Sequence, residues 1–262
     1  HQHEPDDHRE DPADVVERVD ESAGDVDRLL LGGLVLDKGG GLWEFAGGFR
    51  GLAFGEGRLW QAAEPNRPSV ISGSKTLQFE NYSPSDDDGT VQATSAVDLS
   101  VLSNQTPSVY WIESAQRSML VGTDQGVFSI KPPGNQFGAA TSEGITPTNV
   151  EVTRAIGERV GDVSPVLVGS SLVAASQSRR RIYGIEYEFT SDRYQSRDLS
   201  LFAHHLSEKG IKELDYAQDP WKTVFMRTDA GTILTMAFDR SQELLGWAQR
   251  TIAGTDAEVL AQ

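Results

Sequence analysis

Four polar breaks centred on residues 64, 124, 177 and 229 interrupt apolar runs, and they are spaced 60, 53 and 52 residues apart. Few folds tolerate such a rhythm. The clearest copy is VYWIESAQRSMLVGTDQGVFSIK, residues 109–131, where runs at 109–112, 119–123 and 127–130 are cut at 113–118 and 124–126. Short runs rich in Val, Ile, Trp and Phe, divided by Gly and Asp, predict an antiparallel meander. Gly126 supplies the positive φ that a short hairpin turn needs, and Asp124 is expected to bond the backbone two residues on. Residues 223–237 repeat the layout, and Thr228-Asp229-Ala230-Gly231 matches Thr123-Asp124-Gln125-Gly126 as TDxG, with Asp229 and Gly231 in the turn positions. Residues 165–189 and 51–73 supply two further copies. Repeats of roughly 40–55 residues made of several short strands predict a mainly β chain folded as a β-propeller, partial or complete, with about four recognisable blades. The alternative is an all-β sandwich, whose strands are also bounded by turn residues at short intervals.

Composition narrows the class. The chain has 262 residues, 26 of them Gly and 11 Pro, with 38% hydrophobic content, which suits a loop-rich β protein. It contains no cysteine, so neither disulfides nor thiolate metal sites can brace it. No apolar run approaches the length of a membrane span, the run at 29–36 being interrupted by Gly32 and Gly33. The first residue is His1 and no signal peptide is evident, as expected for a processed or truncated product.

The net charge is −16, and residues 1–28, with eleven acids against three arginines, carry half of it. That segment is expected to be a flexible acidic arm, with the propeller domain over 29–262. A chain of this sign is poorly suited to sequence-independent DNA binding, which uses Lys and Arg to displace counterions from phosphate. It suits a surface that DNA slides past.

Along the chain, residues 29–45 predict a strand and a flexible turn, and the first repeat begins near Phe49. Long connections are expected at 76–106, whose later part TVQATSAVDLSVL alternates as a strand or a short helical turn, and at 132–147, with a strand at 150–156. One helix is predicted, with Asp198 as N-cap, Leu199, Phe202, Ala203 and Leu206 on one stripe, and Gly210 as the stop. Three strands close the chain over 223–252.

Few residues suggest chemistry. Asp86-Asp87-Asp88-Gly89 lacks the alternating ligands and the distal Glu of a calcium loop, so a solvated turn is expected. His204 and His205 are adjacent on the predicted helix, about 100° apart, and do not converge on one metal. Arg179-Arg180-Arg181 occupies a hairpin break; it is either a solvated turn or a contact with an acidic neighbour, for which a second copy of this acidic chain qualifies. The TDxG turns resemble the Asp-box of sialidase-type propellers, although the Ser and Trp of that box are out of place, and such a box is a structural turn. No GxSxG, P-loop, HExxH or dinucleotide fingerprint occurs. No catalytic residue, metal site or cofactor is expected.

The run FRGLAFGEGRLWQAAEPNRPSVISGSKTLQFENY, residues 49–82, resembles a segment of the tail nozzle (tail tubular, or mid-tail hub) proteins of short-tailed bacteriophages and their prophages. There a Gly-Arg-Leu strand precedes a small-residue turn, an Arg-Pro, and a Ser-bearing strand ending in Phe. The later runs YWIESAQRSMLVGTDQGVFSI, ITPTNVEV, PVLVG, YEFTSDRYQSRDLSLFAHHL and TDAGTILTMAFDRSQELLGWAQR follow that family's order and spacing, so the likeness spans roughly residues 45–252. The resemblance implies a non-enzymatic virion structural protein with a propeller domain. It further implies a homohexameric ring at the end of the tail, bound to a tail adaptor protein, flanked by tail fibres or spikes, and surrounding the channel for DNA ejection. Double-stranded DNA would pass through without specific binding. Family members are longer, so platform regions that contact neighbours are missing, rearranged or supplied by another polypeptide. Two alternatives stand beside it: a propeller that binds or cleaves carbohydrate, as phage spikes do, and a cellular propeller scaffold that binds partners through its top face.

Overall fold

A computed structural model describes residues 28–31, 34–37, 49–64, 67–86, 88–103, 105–115, 118–133, 144–242 and 244–250. The chain divides into two compact units, 1–48 and 49–262. The acidic arm expected over 1–28 lies outside the described residues except for Arg28, which opens a strand. In the first unit, β1 (Arg28–Leu31) and β2 (Leu34–Asp37) pair antiparallel as a two-stranded sheet.

The second unit contains four consecutive four-stranded antiparallel meanders. The first comprises β3 (Gly51–Gly55), β4 (Arg58–Glu64), β5 (Arg67–Gly73) and β6 (Val97–Ser100). The second comprises β7 (Val109–Ser114), β8 (Met119–Thr123), β9 (Gly126–Lys131) and β10 (Glu151–Ile156). The third comprises β11 (Val166–Val168), β12 (Ser171–Ala175), β13 (Ile182–Glu188) and β14 (Arg193–Asp198). The fourth comprises β15 (Ile211–Ala217), β16 (Thr223–Thr228), β17 (Ile233–Asp239) and β18 (Leu244–Arg250). In every sheet the strands lie side by side in chain order, the meander of a β-propeller blade. The four breaks that set the sequence rhythm are the turns between second and third strands, β4–β5, β8–β9, β12–β13 and β16–β17.

Packing shows why the sheets stack. Strand residues alternate between faces, and in the two inner sheets both faces are buried. Met119 and Val121 join Trp60, Ile71 and Val97 of the first sheet in one cluster, while Leu120 between them joins Leu172, Ala174 and Ile185 of the third. One sheet further on, Val173 and Ala175 turn the opposite way from Leu172 and Ala174 and meet Val224, Met226, Leu234 and Met236 of the fourth. Three apolar clusters therefore correspond to three junctions. Each fully buried Leu, Ile or Met side chain contributes about 1.5–3 kcal/mol. The end sheets are buried on one face only. On the open face of the first, Ser72 and Arg67 both hold Asp98, at 2.9 and 2.7 Å, and Phe54 is 58% exposed. On the open face of the fourth, Arg227 makes a two-pronged pair with Glu213 at 2.8 and 2.5 Å, and Phe225 is 40% exposed. Among the described residues, no buried cluster joins the first sheet to the fourth.

The expected helix is shorter than its stripe. Asp198 pairs with Tyr183 as the last residue of β14, and Leu199 N donates to Ile182 O at 2.8 Å, so the strand ladder claims both residues. Asp198 caps a turn instead, accepting from Ser200 N and Oγ at 2.9 and 2.7 Å. Within this stretch α1 (His204–Ser207) is the helical part, closed by Gly210 at φ +80°. Leu199 and Ala203 are buried as expected, whereas Phe202 is 90% exposed. The connection expected over 76–106 contains β6, and it is fastened to the first sheet by Tyr82, whose hydroxyl donates to Leu59 O at 3.2 Å. Burial pushes that phenol up to about 12.

Candidate functional site

The residues singled out by sequence collect on the turns between second and third strands. In the second sheet Gly126 takes φ +135°, and a Cβ there would come within 2.6 Å of Ile156 O, so the turn requires glycine. The local bond expected from Asp124 is made by its neighbour: Thr123 Oγ1 accepts from Gln125 N at 3.1 Å and donates to Gly126 O at 2.7 Å. Asp124 reaches back instead to the start of the sheet. Its Oδ1 accepts from Ser108 N at 2.9 Å, and its own N donates to Ser108 O at 3.3 Å. In the fourth sheet Thr228 Oγ1 accepts from Thr232 N at 3.1 Å, Gly231 takes φ +75°, and Asp229 N donates to Gly210 O at 2.9 Å. Ser108 and Gly210 each precede the first strand of their sheet, so both TDxG turns clasp the same point of the meander.

The three arginines do not form one patch. Arg179 makes an ion pair with the turn carboxylate of Asp229 in the next sheet, at 3.0 and 3.3 Å, and its carbonyl accepts from Ile211 N at 2.6 Å. Arg181 lies 3.5 Å from Asp198. Arg180 is exposed, and its side chain has no ion-pair partner among the described residues. The structure thus brings Arg179 and Asp229 together as a lock between the third and fourth sheets and leaves Arg180 exposed.

Other candidates are absorbed by local structure. Asp86 pairs with Lys75 at 2.8 Å and accepts from Gln92 at 2.8 Å, Asp88 accepts from Thr90 N at 2.9 Å, and Asp87 lies outside the described residues. The backbone bond from Thr90 holds the Asp88 carboxyl below its usual range. His205 is exposed and His204 half-buried. Among the described residues no group of three or more His, Cys, Asp and Glu is placed to hold a metal ion, and no helix is long and apolar enough to cross a membrane.

Sequence reasoning missed Arg58. It is 1% exposed, and its guanidinium donates to Ser74 O at 2.6 Å, Ser95 O at 2.7 Å and Ala93 O at 2.8 Å, tying the long connection to β4. Burial pulls its pKa down. The missed signal was phase: residue 58 shares the inward parity of Trp60 and Ala62, so its side chain had to be buried.

Two polar grooves open between neighbouring sheets. One, of about 200 Å³, lies between the second and third and is lined by hydroxyl side chains and by Tyr187 and Tyr194. The other, of about 500 Å³, lies between the third and fourth. In the latter Glu186 is held by Arg240 and Ser171, and Asp239 by Lys222 at 2.9 Å.

No protein-family profile matches the chain, and no curated protein matches its sequence. Among solved structures it is similar to human WBSCR16, with TM-score 0.46 and 11% identity, covering 78% of this chain and 54% of that one. It is also similar to the Myceliophteria thermophila Cps50 (Swd1) beta-propeller domain, with TM-score 0.44 and 11% identity over 77% of this chain and 57% of that one. A protein from Lactobacillus plantarum gives TM-score 0.48 and 10% identity over 87% and 62%. The chain thus spans between 54% and 62% of the length of these three structures.

Proposed function

We propose that this chain is a non-enzymatic structural component of a short-tailed phage tail, contributing propeller blades to a nozzle ring around the DNA ejection channel. The observation that carries the structural part is the open stack of four sheets with a polar, uncovered face at each end. Each of these faces sets an exposed aromatic, Phe54 or Phe225, beside a charged pair, the mix of apolar anchor and polar rim that a second copy can bury. The assignment to a tail rests on the resemblance in motif order and spacing over residues 45–252. The sixfold ring, the adaptor and the fibres or spikes come with it as partners, and the virion as location. The charge of −16 supports a channel wall, since acidic side chains repel phosphate within a Debye length of about 8–10 Å.

Light scattering and gel-shift measurements on the purified chain test this reading. A ring component gives a discrete mass that is a multiple of 28.5 kDa and leaves double-stranded DNA unshifted at low salt. A monomer at every concentration, or salt-sensitive binding of DNA, contradicts it.

A further inference from the structure

The groove between the second and third sheets is built by strand register. Tyr187 pairs with Tyr194 two positions beyond Ile185 and Ser196, so both tyrosines share the face of Ile185, which packs toward the second sheet. Opposite them, Ser129 pairs with Thr153 on the face of Val127, which packs toward the third. The apolar junction therefore runs into a cleft with hydroxyls on both walls. Ser129 Oγ and Thr153 Oγ1 are 3.0 Å apart, and Ser118 Oγ and Tyr194 Oη are 2.7 Å apart. A serine or threonine hydroxyl has one donor and two acceptor sites, so these pairs leave Ser118, Ser129 and Thr153 able to bond further. The Tyr187 and Tyr194 rings meet edge to face with centroids 5.3 Å apart, and the Tyr187 hydroxyl donates to Asp192.

Charge at the groove is of both signs. Lys131 follows Ser129 on the same face, and its cross-strand partner is Glu151. Arg193 and Asp192 line the same groove, while the Arg154 guanidinium is turned to Gln125 O and Gly157 O at 2.6 and 3.2 Å. A purely anionic ligand would face Asp192 as well as the cations. An apolar one would strip the hydroxyls of water without replacing it. A polyol matches the groove, because each of its hydroxyls both donates and accepts, and its C–H face can lie on an aromatic ring. A cavity of about 200 Å³ is below the usual size of a drug-sized site and admits one sugar ring.

We propose that this groove binds a single neutral hexose unit of a glycan, held by the Ser118, Ser129 and Thr153 hydroxyls against the Tyr187–Tyr194 pair. The site is independent of the tail reading, since it lies within one chain: a monomer that bound sugar would reject the ring and keep the groove.

The test is amide NMR of the full chain with millimolar methyl glycosides of glucose, galactose, mannose and N-acetylglucosamine, with inorganic phosphate as the anionic probe. The expected result is that at least one glycoside shifts the amides of Ser129, Thr153 and Tyr194. Thr153→Val and Tyr194→Phe should each weaken that binding roughly fivefold or more, the loss of one hydrogen bond. Circular dichroism confirms that each variant is folded, and Thr153→Val alone decides the matter if Tyr194→Phe unfolds. The proposal is overturned if no glycoside shifts these amides, if the shifts lie outside the groove, if only phosphate produces them, or if Thr153→Val leaves the affinity unchanged.

Discussion

Arg58 shows how one residue can secure a long connection. Its three carbonyl acceptors come from residues 74, 93 and 95, so Arg58→Met leaves all three without that donor in a buried site. A loss of about 3 kcal/mol or more is expected in urea unfolding, and Arg58→Lys recovers little, because an ammonium cannot reproduce the planar fork. Gly122 is a second such position. It pairs with Trp111 across the β7–β8 ladder, and a Cβ would lie 2.0 Å from the indole. Gly122→Ala should cost about 3 kcal/mol by thermal unfolding, since the buried ring has nowhere to go. Glu213 gives a pH signature. The Arg227 hydrogen bond holds its carboxyl below the ordinary 4.5, so the folded state binds its proton less readily than the unfolded chain. That stability is fully present above the ordinary value and is lost as pH falls through the lowered one. Because the Glu213 side chain is 46% exposed, the pair contributes at most about 1 kcal/mol. Glu213→Gln should flatten the stability profile measured between about pH 5 and pH 3 by up to that amount.

At the scale of elements, the inner sheets differ from the outer ones in kind. Every residue of β8 and β12 is buried, whereas β14 and β18 alternate or stay exposed at sheet edges. Hydrogen exchange should be slowest in β8 and β12, with β14 and β18 at least roughly tenfold faster. A uniform rate across the four strands would contradict the two-faced packing. This layout was largely legible in the sequence. Breaks at 64, 124, 177 and 229 fixed the turns because Gly, Asp and Pro act locally, and alternating apolar residues fixed strand faces. Three features were illegible for a shared reason: they depend on partners distant in the chain. The stripe from Leu199 to Leu206 has helical spacing, but pairing of Asp198 with Tyr183 and of Leu199 with Ile182 overrides it. The link from Arg179 to Asp229 joins residues 50 apart, and the groove at Tyr194 requires Ser118 from 76 residues upstream. Neither spacing is visible until the sheets are stacked.

At the scale of the molecule, four sheets share three apolar junctions, and the two remaining faces are polar and open. A propeller of this kind resists deformation because each inner blade is clamped on both sides. In the proposed assembly those faces, together with the exposed Arg180, meet other copies. Single-particle electron microscopy of the purified chain tests this most directly. A nozzle ring would appear as several copies around a central opening, with each copy's four sheets stacked face to face along the wall. Isolated particles of one copy at all concentrations, or sheets paired as two opposed layers, would contradict it.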